Sequence, residues 1–597
     1  MESRHEQSRR RRRDRAEASY DEASRTRYGS RVPREDGTGF MFGPGARRLQ
    51  VIFVILMIAL AGMAARLVAL QAVRVVDLSS IENTRGVPVA LQARRGTIYD
   101  RNGNILAMSE GCYDIYCDPQ EVNLPAVSAQ ILAEEFNSDG SAYMQTMQQD
   151  SSFAYLVRKA DKEKAEEARK KLREAGCTGI YLLKATKRVY PYGQIAGQVI
   201  GMVDTDGNGL TGLELQYNDL LRGIDGSISQ DSGRDGTPVA GGNTSIKEPV
   251  DGDDLVVSLD VDIQKVAEEQ VQGGVSTYKA ESGFCMVTDP STGEILAACS
   301  TPYLDLNDTV DASQEAFNLK LVSSSYEPGS IFKVLTAAIG LESGSVDTYT
   351  TFSVPPTVVV GSDIVQDDDD RSKTMRMDLR EILRRSSNTG AATVAQDAIG
   401  AQTFAEGVNK FQIGTATGID YPGESAGLVT QLQDYVGSTL GSMSFGQGLA
   451  VPMVQMVKAV GSIADGGTLR TPHFLVSRNG KAVDWPSVGQ SVSSQTAEEV
   501  TDMLRTVVTD GTAVEAQVTG YDIAGKTGTG EQASEKGGYV KGKYLSSMIG
   551  YGPAGDAQVL CYVGLYETSE HAATSAAPVF SAIMSEALAD RGVQPES

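Results

Sequence analysis

The chain has 597 residues, enough for two or more folded units at roughly 100–200 residues each, and its 41% apolar and 22% charged residues exclude wholesale disorder. Its net charge of −23 is unevenly spread: residues 1–48 carry 13 Arg against 8 Asp and Glu, or +5, and the remainder is left at −28. A body that acidic repels phosphate backbones, which excludes nucleic acid as a partner of the main domains.

Residues 1–48, with the run Arg9–Arg13 and no apolar periodicity, read as a disordered basic tail. Val51 to Ala65 is then 15 uninterrupted apolar residues, within a 49–73 segment of 25 whose one charge is Arg66. That length predicts a retained transmembrane helix rather than a cleaved signal peptide, because the leader is long and the apolar run continues past any cleavage region. Arg47–Arg48 and the upstream arginines place the N-terminus in the cytoplasm by the positive-inside rule, and the acidic body outside the membrane. Residues 74–250 form a mixed region: a charged helix is predicted over Asp161–Ala175, and turns at Asp204–Gly209 and Gly233–Gly242.

Near residue 250 the pattern becomes regular, which places a domain boundary there. A strand is predicted at Leu255–Asp260 and a helix from Val261. A hairpin follows, Phe284–Thr288 and Glu294–Ser300 about Asp289-Pro-Ser-Thr-Gly293. Apolar helices follow at Ile331–Leu341 and Leu379–Arg385, strands at Ile523–Thr529, Ser546–Gly552 and Gln558–Leu565, and a closing helix at Pro578–Arg591. Strands, then helices, then strands again predict an antiparallel sheet with packed helices, an α+β domain. The expected division is 1–48 tail, 49–73 anchor, 74–250 pedestal and 251–597 catalytic domain.

Three histidines, His5, His473 and His571, give little material for a Ser-His-Asp triad or a His-rich metal site. Six sparse cysteines without a CxxC pair argue against zinc and against a disulfide scaffold. In the hairpin, pairing about Thr292 sets Cys285 opposite Cys299; a cross-strand disulfide and two buried thiols are the alternatives, the second favoured. The acidic run Asp367–Asp370 reads as a solvated loop, with a docking site for basic partners as the sharper alternative.

Chemistry concentrates in three segments. In Tyr326-Glu-Pro-Gly-Ser330-Ile-Phe-Lys333, i, i+3 spacing puts Ser330 and Lys333 on one helix face. A serine hydroxyl needs a base, and a lysine partly buried beside Phe332 loses its proton more easily. Ser386-Ser387-Asn388 ends a helix 56 residues later and offers a hydroxyl for proton relay and an amide for a substrate carbonyl. Ala524-Gly525-Lys526-Thr527-Gly528-Thr529-Gly530 lies 140 residues further on, glycine-rich enough for close approach of an extended peptide, with Lys526 and Thr529 suited to an anionic substrate end. Each segment alone is ordinary; SxxK, SxN and KTG in this order are a set. Gly520 to Thr527 also matches GxxxxGK[ST], but it lacks the strand–loop–helix context, so ATP binding is not expected.

This set resembles that of the class B penicillin-binding proteins, the single-pass transpeptidases of bacterial peptidoglycan. The likeness extends to Arg95-Gly-Thr-Ile-Tyr-Asp-Arg-Asn-Gly-Asn-Ile-Leu-Ala107, Arg188-Val-Tyr-Pro191 with Ile200-Gly201, Gly212-Leu-Glu214, Leu221-Arg-Gly223, Phe445-Gly-Gln-Gly448, and Gly466-Gly467 with Pro472. Val451-Pro452-Met453 departs from the family's usual Val-Thr-Pro. The resemblance implies a penicilloyl-serine transferase domain, β-lactamase-like, on an elongated α/β pedestal with one N-terminal transmembrane helix.

It also implies that Ser330 is the acylated nucleophile and Lys333 its base, that Ser386 relays a proton and Asn388 binds the donor peptide. Lys526, Thr527, Gly528 and Thr529 then line the substrate site, with the Ser330 and Thr529 N–H groups as oxyanion hole. The implied partners are peptidoglycan stem peptides, β-lactams and an integral-membrane glycan polymerase of division or elongation; no metal and no cofactor is implied. With no further module after the last helix and no glycosyltransferase-like domain before, a monofunctional, division-type cross-linker is expected. An inert membrane-anchored scaffold and a β-lactam sensor or hydrolase are the alternatives, and no water-activating base supports the last.

Overall fold

The computed structural model describes residues 44–72, 89–230, 244–369, 371–533 and 539–596, in two compact units, Met1–Arg85 and Gly86–Ser597. The first unit supplies one helix, α1 (Pro44–Ala72), which starts within the segment read as tail. Its described side chains, 51–66, are exposed. No helix among the described residues is long and apolar enough to cross a membrane. The rest of the tail and the turn expected at Gly233–Gly242 lie outside the described residues.

Early in the second unit lie β1 (Ile98–Tyr99) and the long β2 (Ile105–Cys117). α2 (Pro125–Phe136), β3 (Ala154–Asp161), α3 (Lys162–Glu174) and β4 (Ile180–Val189) follow. β2 pairs antiparallel with β3 on one side and β4 on the other. α3 is the charged helix expected from the sequence. It folds here because Ala165, Ala168 and Leu172 make one buried stripe, joining Ile115, Cys117 and Leu132 in a small separate core.

Three motifs far apart in sequence meet nearby. Glu214 accepts from Arg95 Nε and from Arg188 Nε, each at 2.6 Å, with all three side chains buried. Arg188 also donates to Gly96 O at 2.7 Å and Arg95 to Asn218 Oδ1 at 2.9 Å. One carboxylate shared by two buried guanidiniums makes this knot intolerant of losing a partner.

β5 (Leu255–Val257) pairs parallel with β1 and antiparallel with Leu475–Arg478, so one sheet runs through both halves of the unit. Asp260 then caps α4 (Val261–Tyr278), its side chain accepting from Asp262 N. The hairpin is β6 (Ser282–Thr288) and β7 (Ile295–Ser300), with Cys299 opposite Cys285 as the spacing predicts. All six cysteines are free; the Cys285 Sγ neighbour is Cys561 Sγ, at 3.8 Å, so the paired thiols are buried and unbridged.

The chain continues with α5 (Lys333–Glu342), α6 (Leu379–Arg385), α7 (Asn388–Val394), α8 (Met453–Ala464) and α9 (Ser494–Asp510). Pro452, at the departure from the family pattern, caps α8 in extended conformation. β8 (Ala524–Ala533), β9 (Tyr539–Gly552), β10 (Val559–Thr568) and α10 (Ala576–Asp590) close the chain. The strands form a five-stranded antiparallel sheet in the order β7-β6-β10-β9-β8. This is the expected α+β architecture. α4 and α10 pack together on this sheet and α9 packs on β8. β8 is the edge strand, so one of its sides keeps unpaired N–H and C=O groups.

Candidate active site

The first of the three segments is held by backbone contacts. Ser325–Tyr326 pairs with Val451–Pro452, and Gly329–Phe332 then forms a 3₁₀ turn running into α5. Gly329 has φ +56°, where a side chain is strained. Gly446 comes so close that a Cβ there would lie 2.1 Å from Gly329 O, and Gly329 N donates to Gly446 O at 3.0 Å. Phe445-Gly-Gln-Gly448 is thus the support beneath the Ser330 turn. α5 is buried along nearly its whole length, so Lys333 projects within the core and not at the surface.

Lys333 is 1% exposed. Its Nζ lies 2.9 Å from Ser330 Oγ, 2.5 Å from Ser386 O and 2.6 Å from Asn388 Oδ1. A neutral amine has two N–H groups; the two carbonyl oxygens take both and leave the lone pair for the Ser330 hydroxyl proton. Burial pulls the Lys333 ammonium down to about 8, and the charges of Asp368 and Asp367 oppose a further fall.

The second segment is an interhelical turn. α6 ends in Ser386, held left-handed at φ +59°, and Ser387 caps α7 by accepting from Gly390 N at 2.9 Å. This turn presents the Ser386 carbonyl and hydroxyl and the Asn388 amide to the lysines.

The third segment lies on β8, in extended strand, which removes the strand–loop–helix context that a phosphate loop at Gly520–Thr527 requires. Lys526 is fully buried; its Nζ reaches Ser386 Oγ at 2.9 Å and Thr527 O at 3.0 Å. Burial pushes Lys526 well below the usual lysine range, and the charge of Lys333 pushes in the same direction. Thr527 Oγ1 is bonded to Thr512 Oγ1 at 2.9 Å. A Cβ on Gly528 would sit 2.6 Å from Ser547 Oγ and 2.9 Å from Ile331 Cγ1, so glycine lets the Ser330 turn pack on the strand. Thr529 is half-buried, and its carbonyl lies beside Gly329.

The structure therefore brings the eight predicted residues together: Ser330, Lys333, Ser386, Asn388 and Lys526 by side-chain contacts, Thr527, Gly528 and Thr529 along the adjoining strand. The two described histidines stand apart, His473 stacked on Trp485 and His571 on Tyr544. Sequence reasoning missed Thr512, gave Gly446 only as part of the Phe445–Gly448 motif without its role, and misread Asp367. The expected solvated loop holds for Asp368 and Asp369, which are exposed. Asp367 is instead a buried partner of Arg371, Ser387 and Thr389, and Asp370 lies outside the described residues.

Residues 283–585 match the family described as penicillin binding protein transpeptidase domain, and residues 90–257 match the penicillin-binding protein dimerisation domain. The chain is a class B penicillin-binding protein. It is 30% identical over 560 residues to the probable peptidoglycan D,D-transpeptidase PenA of Neisseria meningitidis, covering 92% of this chain and 93% of that one. It is 28% identical over 537 residues to stage V sporulation protein D of Bacillus subtilis, covering 86% and 80%. Among solved structures, penicillin binding protein 3 of Mycobacterium tuberculosis, complexed with aztreonam, is similar to this class B protein with a TM-score of 0.66 and 26% identity, covering 85% of this chain and 98% of that one.

Proposed function

We propose that Ser330 is the acylated nucleophile of this peptidoglycan D,D-transpeptidase and that Lys333 is its base. The observation that carries the assignment is the Lys333 amine, buried, 2.9 Å from Ser330 Oγ, with both N–H groups engaged by Ser386 O and Asn388 Oδ1. Ser330 attacks the carbonyl between the two terminal D-alanines of a stem peptide as Lys333 takes the hydroxyl proton. The proton passes through Ser386, which touches Lys526, to the departing D-alanine amine. An amine from a neighbouring stem peptide then attacks the ester, forms the cross-link and restores Ser330 Oγ–H.

Asn388 orients the donor peptide, which lies along the open edge of β8 beside Lys526, Thr527, Gly528 and Thr529. The N–H groups of Ser330 and Thr529 form the oxyanion hole, a device worth about 10²–10³ in rate per donor. β-Lactams enter by the same first step and leave an ester on Ser330.

The remaining assignments follow the same reading. Residues 49–73 anchor the chain as a single span, with the tail 1–48 cytoplasmic and the acidic body extracytoplasmic; the support is the 15-residue apolar run and Arg47–Arg48 before it. Residues 251–597 form the transpeptidase domain. Residues 74–250 form the pedestal that meets an integral-membrane glycan polymerase of division or elongation, on the resemblance of its motifs. The test is release of D-alanine and appearance of cross-linked dimer from a glycan chain bearing D-Ala-D-Ala stem peptides. Wild type is expected to yield both and Ser330→Ala neither; cross-linking by Ser330→Ala overturns the assignment.

A further inference from the structure

The short hairpin Thr357–Val360 and Asp363–Gln366 leads directly into the acidic stretch at 367. Asp367 Oδ1 accepts from Thr389 N at 2.9 Å; Oδ2 accepts from Ser387 Oγ at 2.7 Å, Thr389 Oγ1 at 3.1 Å and Arg371 Nη2 at 2.5 Å. Arg371 is anchored in turn, donating to Val354 O at 2.8 Å and Pro355 O at 3.0 Å. Both side chains are buried, at 6% and 7% exposure. The partners alternate along the turn: Ser386 and Asn388 go to the lysines, while Ser387 and Thr389, interleaved with them, go to Asp367.

We propose that Asp367, locked to Arg371, is the positioning residue that sets the Ser386–Asn388 turn for acyl transfer. The inference rests on the assignment of that turn to the acyl-transfer machinery. Ser386 holds a left-handed backbone, a conformation that costs about 1–3 kcal/mol in a non-glycine residue and persists only where its surroundings fix it. The lysines grip the turn from one side, and the Asp367–Arg371 pair grips it from the other. A carboxylate taking three neutral donors as well as a guanidinium makes stronger bonds than a neutral group in its place. Asp367 also acts on the base at a distance. The charged groups bearing on Lys333 and Lys526 are Asp367 and Asp368, with Lys333 itself bearing on Lys526. Removing the Asp367 charge therefore lowers Lys333 further.

The test is the rate of benzylpenicillin acylation against pH for the full chain, for Asp367→Asn, for Ser387→Ala and for the double variant. Asp367→Asn is expected to lower the plateau rate about 10- to 100-fold, the size of a lost charged hydrogen bond, and to move the acid limb to lower pH. Ser387→Ala, which keeps the charge, is expected to lose rate with the limb unmoved. The double variant is expected to lose little beyond Asp367→Asn, because both changes break one contact.

A merely structural role predicts a smaller active fraction and a lower unfolding temperature, with the rate and pH limb of that fraction unchanged; that result overturns the proposal. If Asp367→Asn does not fold, Ser387→Ala decides alone, and a wild-type rate from it is equally fatal. Ser386→Ala separates the two levels: a wild-type rate there removes the assignment of the turn itself, whereas a slow Ser386→Ala beside a normal Asp367→Asn removes only the positioning role.

Discussion

Acylation by this protein should be governed by one proton on Lys333. Its ammonium sits at about 8 against an ordinary 10.5, so burial makes the neutral base about 300-fold more available at neutral pH than a solvated lysine would be. The base works only when neutral, so the second-order acylation rate should rise with pH, reach half its plateau near pH 8 and fall to about 1% of plateau two pH units lower. Stopped-flow acylation with a fluorescent penicillin from pH 5.5 to 9.5 measures this directly.

Stability gives a second, independent readout. The Lys333 value is depressed on folding, so between pH 8 and 10.5 the unfolded chain holds a proton that the folded protein has lost. Stability therefore rises with pH across that window, by about 3 kcal/mol. Lys333→Met should lack the part of this rise that Lys333 supplies, and with that charge gone Lys526 is lowered less. An acylation rate that is flat from pH 6 to 9, or an identical stability profile in Lys333→Met, would refute the reasoning.

Other consequences follow from the packing. Glu214→Gln leaves two buried guanidiniums without their carboxylate and should cost about 3–5 kcal/mol in urea unfolding; a loss under 1 kcal/mol contradicts the buried knot. Gly446→Ala drives a methyl to 2.1 Å from Gly329 O at a φ of +82°. It should lower the melting temperature and slow acylation by more than about tenfold, the equivalent of 1.4 kcal/mol; normal kinetics would remove the role given to this loop. All six cysteines should react with a thiol reagent in the unfolded chain before any reduction, whereas a gain of two thiols on reduction would establish a bridge that the structure lacks.

The legibility of this fold in its sequence differs sharply between local and distant features. α6 occupies the predicted Leu379–Arg385, because its capping Asp378 and the turn at Ser386 are local signals. The hairpin and its Cys285–Cys299 register were legible because Pro290 and Gly293 mark the turn. β9 starts at Tyr539, seven residues before the predicted Ser546, since Lys541-Gly542-Lys543 break the pattern there. The sheet that joins Ile98, Leu255 and Leu475 leaves no local trace, as pairing partners so far apart in sequence share no pattern.

At the site, the order of SxxK, SxN and KTG was enough to bring the reacting groups together, although none of the three segments carries that information alone. Asp367 was hidden because a buried carboxylate in an acidic run has the same composition as its solvated neighbours Asp368 and Asp369. Only its partners Ser387 and Thr389 distinguish it. Gly446 was visible as part of a motif, but its purpose, contact with Gly329, needed the folded backbone.

The central claim is that Ser330 is the acylated nucleophile, and intact-mass measurement with peptide mapping after incubation with benzylpenicillin tests it most directly. The account predicts one penicilloyl adduct per chain, located on Ser330 and missing from folded Ser330→Ala. An adduct elsewhere, or none on a folded wild-type protein, would contradict it.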